Sequence, residues 1–381
     1  MPRKSDGSQD TIFEMLRTVG IMRLNPIGQE TFMKPTHQKV IVVISLVIAG
    51  LMVMVVAATL LSDFGKLREV FRHLELGPVF LALMTTGLAF LASALSFRVL
   101  FKITPYRIPF PKFFSIMFIA DTMNYIISSA GMSSIAIRAF FLKQEKVPYS
   151  VSIPLTLAQN MIFNLVLSFV CMGGLVYLKG HPELVGGPNQ TAILFFMAGL
   201  LLFVGVMIFI FFNRAFSRWV LKQVLGTGYW FRRNILRKKG PLQDFAEIQR
   251  VVESTVIFLK KGWIHLIAVF LFIAMNWCLM ALTFYFCFHS VGVDLPLGLL
   301  LVGFTLMFLS SNVNPVPAGL GVSESLLAIT FKMLGVGFEM TLVAALVFRL
   351  VYFLIPILIS TALYLDRVRS FLRSSQMDDK N

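Results

Sequence analysis

The chain has 381 residues, 57% of them hydrophobic and only 14% charged, where an average soluble domain carries about 25% charged residues. Its formal charge is +15, but the Lys and Arg flank apolar blocks long enough to cross a bilayer, about 20 residues each. The excess therefore reads as loops facing anionic lipid, and a nucleic-acid partner is excluded. Cys171, Cys278 and Cys287 all lie inside apolar blocks, an odd set with neither disulfide nor zinc spacing.

In chain order, residues 1–39 are mixed and polar, without the pattern of a signal peptide. Ile12, Leu16 and Val19 have helical spacing, so a short interfacial helix and a disordered tail both fit. Spans follow at 40–61, 77–101, 151–178, 192–212, 263–288 and 340–365, with a basic loop at 214–262 carrying an amphipathic helix near 244–259. Two further apolar blocks, 113–142 and 297–334, are interrupted, the first near Ser128 to Gly131 and the second from Asn312 to Gly321. The Lys/Arg-rich segments 1–39, 98–112, 143–148, 214–262 and the tail 366–381 belong on the cytoplasmic side. That assignment closes only if both interrupted blocks enter and leave on one side. It also leaves 63–76 outside despite Lys66, Arg68 and Arg72. The fold class is thus an all-α polytopic membrane protein, with about six transmembrane helices plus two re-entrant broken hairpins.

The interruptions match each other. Asn124, five residues, Ala130-Gly131, a large residue and a small one recur as Asn312, five residues, Ala318-Gly319, Leu320 and Gly321, at a constant offset of 188 between Asn124 and Asn312. Each half, 40–178 and 192–365, reads span, span, broken hairpin, span. An odd number of full spans inverts the second half, as in many secondary transporters. Irregular backbone at membrane depth must face protein or water. Pro315 and Pro317 prevent helix there, Gly319 and Gly321 allow close approach, and Ser323 and Glu324 open the next helix, whose free N–H groups suit an anion such as a lipid phosphate.

Charges within such blocks are costly and mark function. Glu324 and Arg349 fit an ion pair or a proton or phosphate site. Arg138 fits a phosphate ligand or a side chain snorkelling to the headgroups. Asp121 reads as a local partner. Gln159, Asn160 and Asn164 lie in the span after the first interrupted block, Asn160 and Asn164 on one helix face, either in interhelical packing or along a headgroup path. The candidate lipid-binding set is Asn124, Ser128, Ser129, Gly131, Arg138, Asn160, Asn164, Asn312, Asn314, Pro317, Gly319, Gly321, Ser323, Glu324 and Arg349. His37, His73, His181, His265 and His289 lack metal spacing, and no nucleophile elbow or Walker loop occurs. No catalytic residue, metal or cofactor is therefore expected.

Around Pro317-Ala-Gly-Leu-Gly-Val-Ser-Glu324 the chain resembles the lysylphosphatidylglycerol synthase transmembrane, or flippase-like, family. Pro317, Gly319, Gly321 and Glu324 match that family's Pro-Gly-Gly-Leu-Gly-x-x-Glu motif. The stretch from Gly131 to Ala139, with Arg138, resembles its Gly-Arg-x-Gly-Glu-x-x-Arg-Ala motif. Met132 and Ile135 replace the basic and acidic positions of the latter, and Asn160 to Asn164 fills the family's Glu-Arg-x-x-Asp stretch. The resemblance implies a bacterial or archaeal cytoplasmic-membrane protein, and the Lys/Arg asymmetry places both termini on the cytoplasmic side. It would move or bind a phospholipid-type lipid, anionic and aminoacylated ones included, between the two broken hairpins, and would not be an enzyme. A membrane-embedded transferase acting on polyprenyl or phospholipid substrates is the alternative, as is a subunit presenting lipid to a separate lipid-modifying enzyme.

Overall fold

The computed structural model describes residues 22–24, 30–32, 64–126, 132–181, 197–202, 204–206, 209, 263–313 and 322–364. The described part of the N-terminal segment is a minimal antiparallel pair, β1 (Met22–Leu24) with β2 (Glu30–Phe32), Met22 opposite Phe32. Ile12, Leu16 and Val19, and the spans expected at 40–61 and over most of 192–212, lie outside the described residues, as does the basic loop. An apolar helix at Met197–Val206 falls within 192–212.

The remaining elements are helices: α1 (Phe64–Arg72), α2 (Leu76–Phe101), α3 (Phe110–Ile126), α4 (Met132–Gln144), α5 (Tyr149–Gly180), α6 (Trp263–His289), α7 (Leu297–Val313), α8 (Val322–Met333) and α9 (Phe338–Tyr364). Prolines mark several starts, because a missing N–H costs nothing in a first turn: Pro78 in α2, Pro111 in α3, Pro148 before α5 and Pro296 before α7. Among the described residues, α2, α5, α6 and α9 are long and apolar enough to cross a bilayer. The molecule is an all-α multi-pass membrane protein.

One segment departs from expectation. Residues 63–76, read as a link, contain the helix α1, whose Val70, with Leu74 just beyond its end, packs on the core while Arg68 and Arg72 face outward. The charges hid an apolar stripe that is meaningful only because α1 lies against α9.

The order long, short, short, long occurs twice. Helices α2 to α5 have 26, 17, 13 and 32 residues, and α6 to α9 have 27, 17, 12 and 27. The turns after α4 and α8 are built alike. Val147 N–H reaches the Leu142 carbonyl (3.0 Å) and Lys146 N–H that of Lys143 (2.9 Å), while Val336 reaches Phe331 (2.8 Å) and Gly335 reaches Lys332 (3.2 Å). Both are Schellman caps, which need a left-handed residue after the helix. Gly335 supplies it at φ +83°, and Lys146 supplies it at φ 63° despite its Cβ.

The corresponding long helices α2 and α6 pack along their whole length, in opposite directions. Glu75 N–H donates to the Ser290 carbonyl at 2.9 Å, Thr85 Oγ1 meets Thr283 Oγ1 at 2.8 Å, and Asn276 Nδ2 donates to the Ala89 carbonyl at 2.7 Å. Antiparallel pairing of equivalent helices is what inverted halves require. Thr85→Cys with Thr283→Cys, in a background lacking the natural cysteines, is expected to cross-link within one chain under mild oxidation. Absence of that product on a denaturing gel would rule out this alignment.

The short helices pair off. Lys112, at the start of α3, reaches Glu145, at the end of α4, at 3.6 Å, so the two chain ends of this pair lie together, beside the start of α5. At the second pair, a Cβ on Gly303 of α7 would meet Phe331 and Leu327 of α8. Gly298, at the start of α7, cradles the Tyr177 ring near the end of α5, and Gly174 lies against the Leu301 backbone. Small residues bring α5 and α7 close, as membrane helices commonly do. The two pairs are therefore anchored at opposite ends of α5.

Helix α9 is not uniformly α-helical. Leu350–Leu354 forms a π-turn, in which Ile355 N–H reaches back to the Leu350 carbonyl. Pro356 follows one residue later. Having no N–H, it cannot bond the Tyr352 carbonyl, and its ring crowds that carbonyl; a widened turn relieves both. Such turns occur often at functional positions, and this one directly follows Arg349.

Candidate functional site

Helices α3 and α7 each stop within two residues of an asparagine, Asn124 and Asn312, and α4 and α8 resume at Met132 and Val322. Ser128, Ser129, Gly131, Asn314, Pro317, Gly319 and Gly321 fall in the intervals and lie outside the described residues. Beside each interval the structure places one buried pair of opposite charges.

At the first break, the Arg138 guanidinium of α4 is 3% exposed. Its Nη2 donates to Asp121 Oδ1 of α3 and its Nη1 to Gln159 Oε1 of α5. Ser93 Oγ of α2 donates to the other Asp121 oxygen at 2.8 Å. Gln159 Nε2 donates to the Ser93 carbonyl at 3.1 Å and to Ser96 Oγ, which in turn donates to the Ser93 carbonyl at 2.7 Å. Phe97 lies under the guanidinium at 4.9 Å, a cation–π contact that strengthens out of water. Four helices thus meet at one cation. This overturns the snorkelling alternative for Arg138: α4 points the side chain inward, where Asp121 and Gln159 supply acceptors that a headgroup would otherwise provide.

At the second break, Glu324 of α8 is 1% exposed and Arg349 of α9 is 6% exposed. Arg349 Nε donates to Glu324 Oε1, and its Nη2 to Ser323 Oγ at 2.7 Å. Phe353 lies 4.4 Å from this guanidinium, presented by the π-turn. The pairing expected for Glu324 and Arg349 is present, with Ser323 as its third member.

Helix α5 links the two breaks. Gln159 belongs to the first site. Asn160, half-buried, and Asn164, exposed, stand one turn apart, with Asn164 Nδ2 donating to the Asn160 carbonyl at 2.9 Å. Followed back from Tyr177 and Gly174, the α5–α7 register brings Asn164 to about the level at which α7 ends. An exposed amide halfway along a span is expensive in lipid. Asp121, Ser93, Ser96 and Gln159 were not in the sequence-derived set. The serines sit in a run of small residues that looks like packing, and nothing in the sequence tells which leg of the hairpin faces α2.

Two curated relatives bear on this arrangement. A membrane protein of Methanothermobacter thermautotrophicus (UPF0104) is 22% identical over 329 residues, 82% of this chain and 91% of the relative. A phosphatidylglycerol lysyltransferase of Staphylococcus aureus is 31% identical over 88 residues, 23% of this chain and 10% of that protein. The profile described as the lysylphosphatidylglycerol synthase TM region matches residues 42–360. With that match covering both helix sets and both charged pairs, the chain belongs to the lysylphosphatidylglycerol synthase TM region family.

Proposed function

We propose that this protein is a lipid transporter of a bacterial or archaeal cytoplasmic membrane, which takes a phospholipid headgroup between its two helix breaks and moves it without altering it chemically. The observation that carries the reading is the placement of two buried carboxylate–guanidinium pairs, one beside each break, joined by the polar middle of α5. A headgroup needs polar partners while its tails stay in lipid, and buried charges of this kind are costly unless they serve a purpose. The short pairs α3/α4 and α7/α8 act as re-entrant hairpins. At 1.5 Å per residue, α3 covers about 25 Å and α4 about 20 Å, less than a hydrocarbon core of about 30 Å. Entering from opposite ends of α5, they bring the two breaks toward the membrane middle, the usual position of a transporter site. The Lys/Arg distribution sets the open end of α3/α4, and both termini, on the cytoplasmic side.

The test is headgroup movement in proteoliposomes containing fluorescent phospholipids. Glu324→Gln is expected to slow it at least tenfold, because Arg349 then holds a neutral partner and loses its charge balance. Monodisperse wild-type protein that moves no phospholipid, or moves it equally fast with Gln at position 324, would refute transport through this site.

A further inference from the structure

The four charges at the breaks cancel in pairs, and the group that keeps the first site neutral is an amide. Gln159 cannot turn round, because its Nε2 is engaged by the Ser93 carbonyl and Ser96 Oγ. Its carbonyl oxygen is therefore held on Arg138. A glutamate there would give Arg138 two carboxylates and the site a net negative charge. As it stands, Asp121 balances Arg138, and Glu324 balances Arg349. Among the described residues, no other charged side chain is buried.

Resting on the transport reading above, we infer that the headgroup is zwitterionic, with one phosphate and one ammonium, and that Gln159 is the residue that sets this specificity. A headgroup with net charge would leave an uncompensated ion among neutral pairs in a medium that solvates it poorly. A zwitterion exchanges partners instead: its phosphate takes a guanidinium, its ammonium takes the released carboxylate, and every charge remains paired. The first site is prepared for this exchange. Arg138 Nε is buried and donates to no acceptor among the described residues, a vacancy that a phosphate oxygen fills, since buried donors without acceptors are costly. The Asp121 side chain is 14% exposed, whereas Glu324 is 1% exposed, so the carboxylate that an ammonium can reach is Asp121.

The experiment uses the full chain in vesicles, with three acyl-labelled lipids that share their tails. They carry phosphoethanolamine (zwitterionic), phosphoglycerol (anionic) and O-ethylated phosphocholine (cationic). Wild type is expected to move the phosphoethanolamine lipid at least tenfold faster than either charged lipid. Gln159→Glu should shift preference toward the cationic lipid, and Asp121→Asn toward the anionic one, each by about tenfold relative to the zwitterion. Equal or faster movement of the phosphoglycerol lipid by wild type, or a shift of both variants in the same direction, overturns the inference while transport itself stands. Failure of folded wild type to move any of the three removes the transport reading, and this inference with it. If one variant does not fold, the wild-type ranking and the variant of opposite charge still decide.

Discussion

Arg349→Met alone is expected to lower stability by about 3–5 kcal/mol, and adding Glu324→Leu is expected to restore most of that while lipid movement stays lost. The single change leaves Glu324, 1% exposed, as a buried charge whose cation is gone, with Ser323 Oγ as its neighbour at 3.4 Å. Breaking one side of a buried pair typically costs this much, whereas replacing both partners with apolar residues is often neutral or favourable. The apolar pair also fits its surroundings, since Phe353 already packs on the guanidinium face. Thermal unfolding in detergent followed by tryptophan fluorescence gives the stability, and proteoliposome assays give the movement. Two results would be decisive against the proposed role. If the double variant moves lipid like wild type, the pair is scaffold. If the single variant is as stable as wild type, the charge is not buried as described.

The long helices were legible because hydropathy over 20 or more residues leaves little choice. The spans read at 77–101, 151–178, 263–288 and 340–365 became Leu76–Phe101, Tyr149–Gly180, Trp263–His289 and Phe338–Tyr364. The interruptions read near Ser128 to Gly131 and from Asn312 to Gly321 fall between α3 and α4 and at the junction of α7 and α8, and the residues between those helices lie outside the described ones. Glu324 with Arg349 was legible because these two charges stand well inside the second half's apolar blocks, whereas Lys332 lies two residues from the end of its block. What could not be read was partnership across elements. Asp121 and Arg138 lie on opposite legs of one helix pair, and their meeting depends on how the legs are rotated. Gln159 joins them because α5 packs beside α2, a relation with no local signal. Helix α1 was missed because its apolar stripe is short and its charges are many. The π-turn was missed because a proline inside a span announces a disturbance without saying which kind.

The hairpin geometry that sets Ser323 and Glu324 opposite Arg349 depends on how closely α7 and α8 approach, and Gly303 is the point of closest control. A Cβ there would stand 2.3 Å from Phe331 Cζ, 2.8 Å from its Cε1 and 3.2 Å from Leu327 Cδ1. The Phe331 ring cannot swing aside, for it is fully buried and packs on Phe288 at 5.4 Å. Gly303→Ala should therefore push the two helices apart and destabilise by about 1–3 kcal/mol, the usual cost of overpacking, despite the better helix propensity of alanine. Gly87→Ala is the contrast: nothing lies within 4 Å of its Cβ, so only propensity acts, and stability should hold or rise by up to about 1 kcal/mol. Trimming the obstacle with Phe331→Leu in the Gly303→Ala background should recover part of the loss. The two substitutions should then be non-additive in a double-mutant cycle, as contacting residues are. Since displacement of α8 carries Glu324 away from Arg349, lipid movement should fall with Gly303→Ala and return with the second change. Should Gly303→Ala prove as harmless as Gly87→Ala, the legs do not touch at this level, and the arrangement that brings the second charged pair together would be wrong.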